Sequence, residues 1–417
     1  MQTKNLKILF AFICVFGIFS FISLNRHSVA KPFSYHSELW ADKAGYNVYL
    51  PASLIYDFDA RKFPALIEVK TGHGFQADSL SGKIITKYPY GVSLFQSPFW
   101  LLAHAISSGK DGYSFLYQKS INIAGSFYLS VGLFFLFFTI RKFKSGIDAF
   151  ILSLGIVLST GIFYYGIFDT GMSHIYSFVC LTAIVYLALG ITEINYRKPL
   201  VWIAALAVLY TIIRPINIVF LLPALLYFYF SCNTEVRSYV RSPRFILIAA
   251  LLTFIGVLPQ LMYYHYAFGS YITNSYQNEP FIFPSWERII TLLMGSDNGL
   301  LLYYPILIVI LFFLIKKRDL LSKFGLGLFL IYLIIYASWW SLSLGCGFGH
   351  RAINDIAPFL FIPLFMGKEK TSRLILGSLI VCSLINIKFM FSYDTCLFSS
   401  EPFNYSEYRS ILFGEFK

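Results

Sequence analysis

Two acidic side chains four residues apart, Glu38 and Asp42, follow the first long apolar run of the chain. A helix through this segment would place both carboxylates on one face. Paired carboxylates can act as a general base or hold a cation. The same spacing also fits a solvated helix face on which Asp42 pairs with a nearby lysine or caps a helix.

A third acid, Asp169, stands in a turn between two apolar runs, five residues before His174. If Asp169 is functional, we expect it to act as a supporting acid beside Asp42. Capping of the next helix by Asp169 or Thr170 accounts for these residues more simply.

Cationic side chains stand at two further boundaries of apolar runs. Arg214 precedes Pro215, and an arginine there needs a carboxylate, a carbonyl or a phosphate as its partner. The glycine-rich segment 345–349 is followed by His350 and Arg351, a pattern in which backbone N–H groups and a guanidinium can hold a phosphate. The alternatives are an Arg214 that reaches the lipid headgroups and a flexible loop at 345–349.

Several kinds of site are excluded by pattern. The chain has no P-loop, GxSxG, HExxH or nicotinamide-binding fingerprint. Its six cysteines show no CxxC or CxxxC spacing, so no zinc site or redox dithiol is indicated, and no metal ligands are predicted. Cys346 and Cys396 could pair if both face an oxidising compartment.

The composition defines the elements that must position these residues. Of the 417 residues, 57% are apolar and 13% are charged, which excludes an ordinary soluble enzyme. The fold class predicted is an all-α polytopic membrane protein. The net charge of +12 comes from short basic clusters between apolar runs, which are typical of cytoplasmic loops and not of nucleic-acid binding.

We expect about eleven transmembrane helices in a single domain, 1–417. The first is 8–24, although Ser28-Val29-Ala30 also fits a signal-peptide cleavage site. The others are 118–140, 148–168, 172–192, 199–213, 215–231, 244–266, 299–315, 324–340, 355–367 and 373–391.

With the N-terminus inside, every clustered basic loop falls on the cytoplasmic side. The run 90–106 would break this order if it crossed the membrane, so we interpret it as an interfacial helix on the outer surface. The outer face then carries the predicted functional segments: a first loop at 25–117, loops at 268–298 and 341–354, and a tail at 392–417.

Taken in order, these features resemble the GT-C superfamily of membrane glycosyltransferases, in particular the protein O-mannosyltransferases and the lipid A aminoarabinose transferases. The similarity covers most of the chain as a series of short motifs. They are Ala41-Asp42-Lys43-Ala44-Gly45-Tyr46, Tyr49-Leu50-Pro51-Ala52, Lys87-Tyr88-Pro89-Tyr90-Gly91, Met172-Ser173-His174, Arg214-Pro215-Ile216-Asn217, Asn298-Gly299-Leu300-Leu301 with Tyr304-Pro305, and Trp339-Trp340 followed by Gly349-His350-Arg351.

The resemblance implies an inverting transfer of a sugar from a polyprenyl-phosphate carrier to an acceptor on the outer face of the inner (plasma) membrane. Asp42 carries over as the catalytic acid, with Glu38 and Asp169 in support. Arg351, His350, Arg214 and Lys87 are then expected at the donor phosphate. Lys43 stands where relatives often have a second acid, so it too is expected at the phosphate, and no metal or soluble cofactor is expected.

Expected partners are the lipid-linked donor, membrane lipid and an acceptor that is a protein, a glycolipid or a polysaccharide. Two other functions remain open from the residues: a flippase for a lipid-linked sugar, and a polysaccharide polymerase or ligase. Transporters place charged residues near the middle of the bilayer, whereas here the polar residues gather at the outer ends of the runs. Neither rival requires Asp42.

Overall fold

The structure is a computed structural model that describes residues 2–26, 33–277, 279–366, 372–393 and 401–414. The cleavage-like residues 28–30 and Cys396 lie outside the described residues. Within them the chain forms twenty α-helices: α1 Gln2–Leu24, α2 Asp42–Asn47, α3 Tyr49–Leu54, α4 Ile67–Lys70, α5 Gly91–Ile106, α6 Phe115–Arg141, α7 Gly146–Leu158, α8 Ile162–Ile167, α9 His174–Ala188, α10 Arg197–Ile213, α11 Asn217–Ser231, α12 Thr234–Val240, α13 Pro243–Phe268, α14 Trp286–Met294, α15 Leu300–Tyr303, α16 Ile306–Lys317, α17 Leu320–Ser338, α18 Ile353–Phe365, α19 Arg373–Ser392 and α20 Ser406–Phe413.

Among the described helices, five are long and apolar enough to cross a membrane: Leu6–Leu24 of α1, α6, α13, α17 and α19. Four more apolar helices, α7, α9, α11 and α18, have only 13 to 15 residues. Such helices extend about 20–22 Å, less than the ~30 Å hydrocarbon core. The chain is an all-α membrane protein, but the expected count of about eleven spanning helices is not met.

Local breaks account for two of the expected spans that are missing. The run 148–168 is interrupted after α7, where the Thr160 hydroxyl donates to the Ile156 carbonyl at 2.9 Å and α8 begins only at Ile162. Pro305 similarly separates α15 from α16. Average apolarity detects such runs but not the turns inside them.

The core of the molecule is built around α9, which packs against α6, α10 and α18. Almost all of its side chains are buried. Gly132 of α6 allows a close approach, since a Cβ there would lie 2.3 Å from the Phe178 ring of α9. By contrast, α13 lies at the periphery and exposes most of its apolar surface.

Residues 33–114, which we call the first-loop region, fold into α2 to α5, a short 3-10 helix and a hairpin. The antiparallel strands β1 (Gln76–Asp78) and β2 (Lys83–Ile85) form this hairpin, which was not expected from the sequence. Helix α5 is amphipathic: Gln96 and Trp100 are buried, whereas Leu101 and Leu102 are exposed.

Candidate functional site

Asp42 is the first residue of α2, and its backbone position is tightly constrained. The preceding residue, Ala41, has φ 50°, and its N–H donates to the Thr71 carbonyl at 2.8 Å. The turn at Gly74 packs closely against Ala41, because a Cβ on Gly74 would lie 1.8 Å from the Ala41 carbonyl oxygen. The turn that precedes the hairpin therefore sets the position of Asp42.

The Asp42 carboxylate joins two distant parts of the chain. Its Oδ1 accepts a hydrogen bond from the Tyr88 hydroxyl at 2.5 Å. Its Oδ2 accepts one from Nη2 of Arg351 at 2.7 Å. The Asp42 side chain remains 34% exposed. Two residues that the sequence predicts for the site therefore meet directly, and the carboxylate stays accessible.

The electrostatic environment keeps Asp42 ionised. Burial alone would raise the pKa of this carboxyl, but the Arg351 guanidinium, the Tyr88 hydrogen bond and the Lys87 ammonium outweigh it and hold the pKa below its usual range. Burial and the adjacent Asp42 carboxylate raise the pKa of Tyr88 well above its usual value. Tyr88 therefore stays protonated and donates to a carboxylate.

A cavity of about 680 Å³ opens beside Asp42. We call it the arginine cavity, since Arg214 and Arg351 line it together with Lys87. Part of its wall is apolar and aromatic, formed by Ile216, Phe281, Ile335, Trp339 and Trp340. The arginine cavity therefore combines a cluster of cationic side chains with an apolar wall.

Asp355 and Tyr336 hold Arg214 at this cavity. Nη1 donates to Asp355 Oδ2 at 2.7 Å, and Nη2 donates to the Tyr336 hydroxyl at 3.3 Å. The fully buried Asp355 also contacts Nδ1 of His174 at 3.0 Å. Asp355, which follows Arg351 by four residues, pairs with Arg214, whereas Arg351 pairs with Asp42.

Lys87 of the first-loop region contacts the loop before α14. Its ammonium forms an ion pair with Glu279 and lies 5.2 Å from the Tyr88 ring centroid and 5.4 Å from that of Tyr276. The Ser275 hydroxyl donates to the Lys87 carbonyl at 2.8 Å. These contacts fasten the two loops to each other at the edge of the arginine cavity.

A second cavity, of about 730 Å³, lies on the hairpin side of Asp42. We call it the hairpin cavity. Glu68, His73 and Gln76 line it on the first-loop side. It shares one wall with the arginine cavity, formed by Asp42, Lys87, Tyr88, Ser275, Tyr276 and Glu279.

Glu38 does not share a helix face with Asp42, because α2 begins only at Asp42. Its fully buried carboxylate contacts Arg26, accepts the Asn122 amide at 3.0 Å and accepts the Gly171 N–H at 3.0 Å. These partners make Glu38 a structural anchor between segments, and neither cavity includes it.

Asp169 and Lys43 pair with each other at 2.8 Å and line a third, smaller cavity of about 210 Å³. Asp169 does not cap α9, which begins five residues later behind Ser173. Asp42 and Arg351 also line this small cavity. Lys43 and Asp169 therefore lie near Asp42 but outside the arginine cavity.

His350 occupies a different place from the one expected. It is fully buried, its Nδ1 contacts the Tyr332 hydroxyl, and its Nε2 has no hydrogen-bond partner among the described residues. Arg351 lines the arginine cavity and His350 does not. Adjacent residues in this turn project to different sides, which a one-dimensional motif does not reveal.

Four residues of the site were missed by the sequence analysis: Tyr88 as a partner of Asp42, Tyr276, Glu279 and Asp355. Tyr88 stood out only as part of a motif. Asp355 offered a signal, since an acid at the start of an apolar run requires a partner. Tyr276 and Glu279 lie in a predicted outer loop but carry no motif.

No group of three or more His, Cys, Asp or Glu side chains in the described residues is placed to hold a metal ion. The expectation of a reaction without a resident metal stays a prediction. The chain matches no protein-family profile, no curated protein and no solved structure.

Proposed function

We propose that this protein is an integral-membrane glycosyltransferase that moves a sugar from a polyprenyl-phosphate donor to an acceptor hydroxyl, with inversion at the anomeric carbon. One observation carries the proposal. Asp42 and Arg351, 309 positions apart, meet at the wall of a cavity that has cationic side chains at one part and an apolar wall at another. That combination fits a donor with a phosphate and a prenyl chain.

The donor's phosphate fits the cationic part of the arginine cavity. Arg351, Arg214 and Lys87 can contact its oxygens, and guanidinium groups can do so through two parallel hydrogen bonds. The prenyl chain fits the apolar wall at Ile216, which immediately precedes α11, and at Ile335 of the neighbouring α17.

Asp42 supplies the base for the transfer. Its carboxylate takes the proton of the acceptor hydroxyl, whose oxygen forms a bond to the anomeric carbon of the sugar. The bond from that carbon to the phosphate oxygen breaks, and its electron pair stays on the phosphate. Arg351, Arg214 and Lys87 stabilise the charge that develops there. The products are the glycosylated acceptor, polyprenyl phosphate and a protonated Asp42, which returns its proton to water.

Binding of the donor changes the partner of Arg351. Before binding, its Nη2 donates to Asp42. A phosphate in the arginine cavity competes for the same guanidinium, and each contact it gains weakens the hold on the carboxylate. Because Arg351 lowers the pKa of Asp42, this exchange makes Asp42 a stronger base when the donor is present.

The proposal places both cavities on the outer face of the membrane. Helix α10 starts at Arg197 and ends beside Arg214, and α17 has Lys323 in its first turn and is followed by Trp339. The basic ends of these helices thus lie away from the arginine cavity, and basic ends favour the cytoplasmic side. Cys346, near Arg351, is disulfide-bonded, which suits an oxidising compartment.

Thiol labelling of intact cells tests this orientation. Leu80 and Ile194 are 96% and 98% exposed and lie on opposite sides in the proposal. An impermeant reagent should label Leu80→Cys and spare Ile194→Cys. The reverse pattern would overturn the orientation.

The catalytic proposal is tested in cells that produce only an Asp42→Asn variant. Transfer should fall about 10²–10⁴-fold, the contribution of a positioned base, and the polyprenyl-phosphate sugar should accumulate in the membrane. Mass spectrometry of lipid-linked sugars measures the accumulation and identifies the sugar in the same experiment. Asp57→Asn is the matched control, since Asp57 is 73% exposed and lines neither cavity.

A flippase or an arginine-based ligase gives a different result. In those cases Asp42→Asn cells should transfer sugar as the control does, at equal protein levels. That outcome would reject the glycosyltransferase mechanism proposed here.

A further inference from the structure

The hairpin cavity meets the arginine cavity at Asp42 and extends beneath the β1–β2 hairpin. In a displacement with inversion, the acceptor oxygen attacks the anomeric carbon on the face opposite to the one from which the phosphate leaves. Two cavities that share a wall at one carboxylate provide two such approaches. The arginine cavity takes the phosphate, so the hairpin cavity is available to the acceptor.

Charge distinguishes the two cavities. Three cationic side chains, Lys87, Arg214 and Arg351, line the arginine cavity, and their paired carboxylates are Glu279, Asp355 and Asp42 respectively. The hairpin cavity is lined by Lys87, Glu279 and Asp42, which are already paired, and also by His73 and Glu68. The Glu68 carboxylate has no cationic partner among the described residues, and no guanidinium lines this cavity. An acceptor that carries phosphate groups would meet this carboxylate, so the cavity favours a neutral molecule.

The polar groups of the hairpin cavity suit hydroxyl groups. Glu68 is fixed at the wall because its Oε2 accepts the Ala77 N–H at 2.9 Å. Gln76 of strand β1 and Gln277 of the loop before α14 both line the cavity, and their side-chain amides can donate and accept hydrogen bonds. The half-buried Tyr276 lies in the shared wall, and its ring offers a flat surface for packing.

From these observations we propose that the hairpin cavity binds a neutral saccharide, and that the acceptor hydroxyl belongs to a sugar residue. This inference rests on the proposed transferase function and adds the class of acceptor to it. The sugar hydroxyl next to Asp42 loses its proton to that carboxylate, and its oxygen forms the new glycosidic bond as the phosphate leaves. A lipid hydroxyl or a serine or threonine hydroxyl is the excluded alternative.

The experiment blocks the hairpin cavity and leaves the arginine cavity open. Gln76→Trp fills the cavity from the hairpin, and Gln277→Trp fills it from the facing loop. Both side chains are exposed at the cavity, so the substitutions do not disturb the core. Leu80→Trp in the same hairpin is the matched control, since Leu80 is exposed to solvent and lines neither cavity.

Glycosidic-linkage analysis is performed on envelope material from cells that produce only one variant. Comparison of the unmodified protein with Asp42→Asn first identifies the sugar residue that depends on transfer, and the linkage shows what it is attached to. We expect attachment to another sugar. We also expect at least tenfold less of that linkage in Gln76→Trp and Gln277→Trp cells, with Leu80→Trp unchanged.

The possible failures are distinguishable. Attachment to a protein or lipid hydroxyl, with the Asp42 dependence retained, would overturn the saccharide acceptor and leave the transferase function intact. Normal amounts of the linkage in both tryptophan variants, at equal protein levels, would overturn the hairpin cavity as the acceptor site. Absence of any Asp42-dependent linkage would reject the transferase function itself, and this inference with it.

Discussion

Two ion pairs of similar composition behave differently in this molecule. Arg26 and Glu38 are 4% and 0% exposed, and the Glu38 carboxylate also accepts hydrogen bonds from Asn122 and Gly171. Arg351 and Asp42 are 14% and 34% exposed at the junction of cavities. The first pair is enclosed by the chain, whereas the second remains open to a ligand.

The difference lies in access and not in residue type, and under the proposed function it separates the structural carboxylate Glu38 from the reactive carboxylate Asp42. Removing one partner of an enclosed pair leaves an uncompensated buried charge. In an open pair a substrate or water can replace the missing partner. Substitutions in the two pairs should therefore affect different properties, stability in the first and chemistry in the second.

The largest expected effect is the loss of protein stability when the enclosed Arg26–Glu38 pair is broken. Glu38→Gln leaves Arg26 without its carboxylate and should lower the free energy of unfolding by about 3–5 kcal/mol. Thermal unfolding in detergent measures the loss, and Asp42→Asn serves as the comparison. If both variants unfolded at the same temperature as the unmodified protein, the contrast between enclosed and open pairs would be wrong.

A smaller effect is expected from Arg351. Under the proposal, replacement by alanine removes a contact to the donor phosphate. Loss of one charge-assisted hydrogen bond, worth about 1.5–3 kcal/mol, should lower the affinity for a polyprenyl-phosphate sugar by roughly 10–150-fold. Arg351→Lys keeps the charge but loses the planar pair of N–H donors, so its affinity for the donor should lie between that of the unmodified protein and that of Arg351→Ala. Binding of the donor to purified protein provides the measurement. Equal affinity in all three proteins would assign Arg351 to anchoring of its loop alone.

The smallest effect concerns pH. In the proposed mechanism transfer needs ionised Asp42, so activity should fall as the pH drops through the pKa of Asp42. Arg351 lowers this pKa, so its removal raises it. The acid limb of the residual kcat/KM, which reports the enzyme before the donor binds, should lie at higher pH in Arg351→Ala than in the unmodified protein. An acid limb at the same pH in both proteins would show that Asp42 is not the titrating base.

The sequence predicted four charged residues that line the arginine cavity, but it did not predict the residues that pair with them. Asp42, Arg214, Lys87 and Arg351 were named from residue type and from the resemblance, and the structure places all four at one cavity. Tyr88 and Glu279 were missed as partners because the contacts that involve them join positions 46 and 192 apart. Spacing predicts neighbours within a helix and not across such distances.

Other expectations failed for reasons of geometry. The Glu38 and Asp42 spacing predicted a shared face, but α2 starts at Asp42, so the helical rule does not apply. His350 was named from the Gly349-His350-Arg351 motif, which does not specify side-chain direction; the structure buries it against Tyr332, outside the arginine cavity, and its role at a phosphate stays a prediction. The predicted number of spanning helices was too high because breaks at Thr160 and Pro305 divide two apolar runs and because α9, α10, α11 and α18 have only 13 to 17 residues.

The fit of Gly74 against Ala41 has a consequence for how this site tolerates mutation. Gly74 bears no functional group, yet any side chain there would overlap the Ala41 carbonyl, which lies 1.8 Å from the position of its Cβ. The hairpin would have to shift, and Asp42 would move with Ala41. In a random library scored for loss of function, Gly74 should therefore be as intolerant of replacement as the carboxylate it positions.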